Sequence, residues 1–154
     1  IEASLGISSI NLTNLDAVSI NLVPAVNHFL IEKVYLRYGL GMGGLFQGST
    51  NFNSYRLAPS LGAGYSFQIS NKWYLNAGIY YSYGYAWYVS PFGNTSGSYQ
   101  GLHLAPELKY AITQNWLFSV MADMTTNVPY LINGRDKSFA AYTQIYVSVS
   151  YYFP

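Results

Sequence analysis

Val34-Tyr35-Leu36-Arg37-Tyr38-Gly39-Leu40-Gly41-Met42-Gly43 is the stretch whose reading decides the fold. Val34, Leu36, Tyr38, Leu40 and Met42 alternate with Tyr35, Arg37, Gly39, Gly41 and Gly43, and a period of two is the signature of a β-strand with two different faces. The same alternation recurs on segment after segment. A soluble barrel with its polar face in water would carry about a quarter charged residues, whereas this chain carries 8%. The polar face is too poor in charge to be the outside, so the apolar face is expected to be the outer one, turned to lipid.

Length and composition point the same way. The 154 residues suit a single domain spanning 1–154. Aromatic residues make up 18% of the chain, with 17 Tyr and 3 Trp. The apolar runs fall far short of the roughly 20 residues that a membrane-spanning helix needs. A formal net charge of +1 supplies no basic patch for nucleic acid. Cysteine is absent, which removes disulfides and thiolate metal sites. No His or acid cluster has ligand spacing, so neither a metal nor a cofactor is expected. The chain opens without a charged-then-apolar leader, and an export signal is expected upstream of Ile1.

Eight alternating segments are predicted, at Glu2–Leu12, Ala17–Leu30, Val34–Gly48, Tyr55–Ile69, Trp73–Val89, Gly101–Ile112, Trp116–Ile132 and Phe139–Phe153. The fold class is therefore all-β, an eight-stranded antiparallel up-and-down transmembrane barrel. Ile31-Glu32-Lys33, Ser70-Asn71-Lys72 and Thr113-Gln114-Asn115 read as tight periplasmic turns. Thr13–Asp16, Ser49–Ser54, Ser90–Tyr99 and Asn133–Ser138 are rich in Gly, Asn, Ser and Thr and read as outer loops. Both termini then lie in the periplasm. Leu22-Val23-Pro24, Leu57-Ala58-Pro59 and Leu104-Ala105-Pro106 repeat at the start of descending strands. Proline removes a ladder donor, so these three are expected at bulges or in one ring of the wall.

Amphipathic rings settle where hydrocarbon meets headgroup, which predicts two aromatic girdles. Trp73, Trp116, Tyr110, Tyr65 and Phe67 would form the periplasmic belt, and Tyr83, Tyr85 and Trp87 the outer one. A carbohydrate-binding stack is the alternative reading of the last three.

The final strand, Tyr142-Thr143-Gln144-Ile145-Tyr146-Val147-Ser148-Val149-Ser150-Tyr151-Tyr152-Phe153, resembles the C-terminal signal of bacterial outer-membrane barrels. In that signal alternate apolar or aromatic residues, here Tyr151 and Phe153, run to a final Phe that the barrel-assembly machinery reads; Pro154 after it is a departure. The whole chain is similar to the small barrels of the outer-membrane protein A transmembrane domain, the opacity-like proteins and the lipid A modifying enzymes. The resemblance implies the bacterial outer membrane, with its lipid and lipopolysaccharide as surroundings. It leaves function open, because anchors, adhesins, enzymes and complex subunits share this scaffold.

Alternation places Glu2, Arg37, Arg56, Glu107, Lys109 and Asp123 in the lumen, three acids against three bases. A charge at the midplane of the lipid face would cost about 2 to 4 kcal/mol, while a paired one inside is tolerable. The expectation is an ionic network acting as a plug, since eight strands leave just enough interior for side chains. Gly39, Gly41, Gly43, Ala58, Ser60, Gly62, Gly64, Ser66, Gly78, Ser82 and Gly84 make one wall of the lumen small, and Tyr74, Tyr80, Tyr88, Tyr142, Tyr146 and Tyr152 are its large residues. Tyrosine packed over glycine is expected, with Gly62 opposite Tyr80; a slim cavity beside the small wall is the alternative.

No catalytic residues are expected. His103 and Glu107 stand four apart on one strand, about 13 Å at the usual rise, so a set of His103, Glu107 and Ser119 cannot form, and His103 reads as a lumen histidine without a near carboxylate. His28 reads as interfacial. Three classes of function remain, in this order: a structural or complex-forming barrel, which either anchors something in the periplasm through its termini or docks laterally against another membrane protein at small outward residues such as Ala63, Ala77 and Ala122; a ligand- or surface-binding barrel, with a channel as a further alternative; and a lipid-modifying enzyme.

Overall fold

The computed structural model describes residues 1–12, 17–47, 52–128 and 140–153. Eight antiparallel strands close into a barrel: β1 (Glu2–Leu12), β2 (Ala17–Phe29), β3 (Val34–Gln47), β4 (Phe52–Gln68), β5 (Trp73–Ser90), β6 (Gly93–Ala111), β7 (Trp116–Val128) and β8 (Ala140–Tyr152). Every strand pairs with its neighbours in sequence, and β8 closes the ring on β1 with Ala3 opposite Tyr151. The seam is paired over Glu2–Ile7 against Val147–Tyr152, and closing the ring there answers the demand of hydrocarbon, which offers a strand edge no partners.

Burial follows the alternation with its polarity inverted. Along β5 every second residue is exposed from Trp73 to Val89, and those between, Asn76, Tyr80, Ser82 and Ala86 among them, are buried. Leu61 and Ile79 are 57% and 58% exposed, whereas Glu107 and Lys109 are each 2% exposed. All the charged residues on described strands stand on the lumen phase; Glu32, Lys33 and Lys72 lie in turns. An apolar wall around a polar interior is stable only with lipid outside.

The three short turns are built alike. The amides of Leu30, Ile69 and Ile112 donate to the carbonyls of Val34, Trp73 and Trp116, each at 2.9 Å. Carbonyls of Lys33, Lys72 and Asn115 then accept from Ser66, Ala111 and Tyr152 on the following hairpin, at 2.7 to 2.8 Å. These turns gather at the barrel end that carries both termini, here the terminal mouth. The opposite end is the distal mouth.

At the distal mouth the outcome differs from the sequence reading. Ser90–Tyr99 is not a loop: Pro91 and Phe92 make a two-residue turn, and Asn94–Tyr99 continue β6 in register with β5, from Ser90 opposite Gly93 downward. Gly93 adopts φ +130°, a conformation that side-chain-bearing residues rarely take. The turn-forming composition of 93–98 is overruled because β5 keeps its alternation to Val89 and offers a complete pairing partner. Likewise Phe52–Ser54 belong to β4, not to a connection. Thr13–Asp16, 48–51 and Asn133–Ser138, together with the strand residues expected at Pro129–Ile132 and Phe139, lie outside the described residues.

The three prolines interrupt the ladder without a bulge. Pro24, Pro59 and Pro106 pair with the preceding strand at Leu5, Leu40 and Ala77. Toward the following strand, pairing lapses for two residues and resumes in unchanged register. A missing donor costs a local hydrogen bond, and no extra residue is needed to absorb it.

Candidate functional site

The lumen is a stack of side chains from all eight strands. One row of paired residues, Glu2, Asn27, Arg37, Gly62, Tyr80, His103 and Thr125, crosses from β1 to β7. Because all seven stand on the inner phase, the row carries chemistry obliquely around the wall.

Nearest the terminal mouth is an ionic cluster. Lys109 is bonded to the Glu2 carboxylate, and its Nζ lies 3.4 Å from Glu107 Oε2. Ser119 donates to Glu107 Oε1 at 2.6 Å and shares a hydrogen bond with Ser148; Asn76 donates to Glu107 Oε2 at 3.4 Å. Lys109 faces Ser119 and Glu107 faces Met121 in the ladder, the register that the Thr113-Gln114-Asn115 turn implies. Above this cluster Arg37 lies with its guanidinium 5.1 Å from the centre of the Tyr80 ring, a cation–π contact. The Tyr80 and Tyr35 hydroxyls meet at 3.3 Å. Glycines make room for these rings: a Cβ on Gly64 would collide with Tyr35, and one on Gly78 with Tyr80. Gly62 does lie opposite Tyr80.

Arg56 and Asp123 stand apart from that cluster. Arg56 donates to Asn21 Oδ1 at 2.5 Å and Gln144 Oε1 at 3.3 Å, so neutral amides hold it. Asp123 contacts neither Lys109 nor Arg37. It sits on β7 two residues beyond Met121, about 7 Å further along the strand, and its partner is His103.

His103 corrects the sequence reading most sharply, because a carboxylate is beside it. Its Nδ1 lies 2.9 and 3.1 Å from the two Asp123 oxygens and 2.9 Å from Thr125 Oγ1, and its Nε2 lies 2.7 Å from Ser82 Oγ. Thr125 also donates to Asp123 Oδ1 at 2.9 Å. Ser82, His103 and Asp123 come from three successive strands as diagonal neighbours across two ladders. The β6–β7 part follows from the same turn register, which sets His103 opposite Thr125. The β5–β6 part was hidden while Ser90–Tyr99 read as a loop.

Two cavities flank the layer of Tyr35, Arg37, Tyr80 and Glu107. The one at the terminal mouth holds about 590 Å³ and narrows to Glu2, Asn76 and Lys109. The distal one holds about 70 Å³ between the small wall, Ala58, Ser60 and Ser82, and Arg56, His103, Asp123 and Tyr146. Tyr99, another member of its lining, was missed in the sequence for the same reason as the β5–β6 register.

On the outer wall the rings pair. Trp73 and Tyr110 stand 4.9 Å apart, Tyr65 and Phe67 4.5 Å, and Trp116 and Tyr151 5.0 Å, with Phe153 4.7 Å from Tyr151. Toward the distal end Tyr85 and Trp87 pair at 5.0 Å and Tyr83 is 55% exposed. Phe46 and Tyr55, at 5.8 Å, extend the distal aromatic set beyond the residues expected from the sequence. His28 is exposed on the outward phase near the first turn. Among the described residues no group of three or more His, Asp or Glu is placed to hold a metal ion.

No protein-family model matches the chain, and no curated protein does. Its fold is shared with solved outer-membrane proteins. Neisserial surface protein A superposes with a TM-score of 0.65 at 17% identity, over 99% of this chain and 93% of that one. Ail, the attachment invasion locus protein of Yersinia pestis, gives 0.57 at 12% identity, over 97% and 92%. The N-terminal β-barrel domain of Pseudomonas aeruginosa OprF gives 0.51 at 13% identity, over 97% and 93%. The fold is that of the eight-stranded outer-membrane barrels.

Proposed function

We propose that this protein is a non-conducting component of the bacterial outer membrane, its lumen closed by side chains and its work done from its surface. The observation that carries this reading is that the two lumen cavities share no lining residue. The layer between them holds Tyr35, Arg37, Tyr80 and Glu107, all buried. Opposite charges across it, Arg37 and Lys109 against Glu2 and Glu107, sum to no net charge that would favour ions of one sign. The terminal mouth faces the periplasm, and Trp73, Trp116, Tyr110, Tyr65 and Phe67 lie at its headgroup level; Tyr83, Tyr85 and Trp87 mark the outer leaflet. Tyr151 and Phe153, with Phe153 bonded through its amide to the Ile1 carbonyl at 2.7 Å, present the closing strand to the assembly machinery. Among the described residues the largest surface available for recognition is the wall itself, so lateral docking against another membrane protein, at outward Ala63, Ala77 and Ala122, is the interaction this shape favours.

Conductance tests the reading. Purified protein inserted into planar bilayers is expected to give no steady single-channel steps, whereas Arg37→Ala combined with Tyr80→Ala, which opens the dividing layer, is expected to give them. Steady steps from the unaltered chain would show a continuous pore and end the proposal.

A further inference from the structure

The distal lumen sets a serine, a histidine and an aspartate in hydrogen-bonding sequence, Ser82 to His103 to Asp123. Asp123 and Thr125 both approach His103 Nδ1, and a carboxylate can only accept, so Nδ1 carries the proton. With Nδ1 protonated, the other nitrogen of a neutral ring offers its lone pair at Nε2, 2.7 Å from Ser82 Oγ, and in that tautomer the serine hydroxyl is the donor. This is the polarity that activates a serine: a base on its proton, and a fixed acid holding the base in the right tautomer.

The activated oxygen borders space. Ser82, His103 and Asp123 all line the distal cavity of about 70 Å³. Since roughly 10–15 Å³ accommodates one water, this volume admits a group of a few heavy atoms and excludes a long acyl chain. Arg56 lines the same cavity, and its bonded partners are the neutral oxygens of Asn21 and Gln144. Among the described residues no carboxylate forms an ion pair with it, so its charge is available to an oxyanion.

We infer that Ser82 is the nucleophile of a Ser82–His103–Asp123 hydrolytic site, taking short-chain acyl esters of acetyl size from the distal mouth. Ser82 Oγ bonds to the ester carbonyl carbon while its proton passes to His103 Nε2. The ester C–O bond then breaks, and the leaving alkoxide takes that proton as an alcohol. A water molecule attacks the acyl-serine, gives its proton to His103, and releases the carboxylic acid as Ser82 recovers the proton. Asp123 and Thr125 are positioning residues: both contact the ring at Nδ1, and Thr125 also donates to Asp123. The site lies on the distal side of the dividing layer and goes beyond the closed-lumen reading.

The test uses the full chain folded in detergent with p-nitrophenyl acetate as probe, reading nitrophenolate release and the acetylated residue by peptide mass. The expected result is acetyl on Ser82, none there in Ser82→Ala, and release at least about 10²-fold slower in His103→Gln, with the heat-modifiable gel shift of a folded barrel retained. Should His103→Gln fail to give that shift, Asp123→Asn, which removes the tautomer control and leaves the volume unchanged, is expected to slow acetylation in the same direction. No acetyl on Ser82, acetyl only on Lys or Tyr, or acetylation of Ser82 at an unchanged rate in a folded His103 or Asp123 variant would overturn the inference.

Discussion

At the scale of single residues, the lumen is organised by which charges can reach each other across two or three strands. Glu107 accepts from Ser119 and Asn76 and stands 3.4 Å from Lys109, all of them buried. Removing Glu107 leaves two buried cations, Arg37 and Lys109, against the single carboxylate of Glu2. Glu107→Ala is therefore expected to lower folding stability by about 3 to 5 kcal/mol, whereas Leu108→Val, one residue along on the lipid face, costs less than about 1 kcal/mol. Urea unfolding in lipid vesicles, followed by tryptophan emission, compares the two; equal midpoints would mean that the cluster does not fasten the ring. Alternation alone places six charges inside, because it fixes which way each side chain points. It does not say at what height each stands, so it groups Asp123 with Lys109 when the ladder hands Asp123 to His103.

At the scale of elements, the sequence is most informative where a strand is half in lipid and least informative where it leaves it. The turn-end boundaries expected from Ile31-Glu32-Lys33, Ser70-Asn71-Lys72 and Thr113-Gln114-Asn115 fall within a residue or so of the observed strands. Beyond the lipid the constraint of alternating polarity is gone, and 94–99, polar and turn-rich in composition, pair on the strength of backbone hydrogen bonds and Tyr85–Ser96 and Tyr81–Gln100 side-chain bonds. The consequence for function is that the β5–β6 hairpin ends in a tight tip with Phe92 fully exposed. Since the chain lacks cysteine, an introduced thiol is a clean reporter of orientation. A membrane-impermeant maleimide added to intact cells is expected to label Phe92→Cys and to spare Asn71→Cys until the outer membrane is permeabilised. The opposite pattern would turn the barrel over.

At the scale of the whole molecule, one inversion governs the rest: apolar outside, polar inside. It explains the low charge of the sequence, the need for ring closure, the interior placement of the charges on the described strands and the outward direction of Trp73, Trp87 and Trp116, each between 42% and 47% exposed. The eight-stranded architecture is legible because this inversion is written at every second residue of the strands. The Ser82–His103–Asp123 group is not, because it depends on the register of three strands together. Tryptophan quenching by brominated lipid tests the inversion most directly. In bilayers whose acyl chains carry bromine near the headgroup end, single-tryptophan proteins retaining Trp73, Trp87 or Trp116 are each expected to lose most of their emission, and to lose less when the bromine sits at the chain ends. Emission that brominated lipid leaves unchanged at all three positions would place the wall out of contact with hydrocarbon and contradict the account.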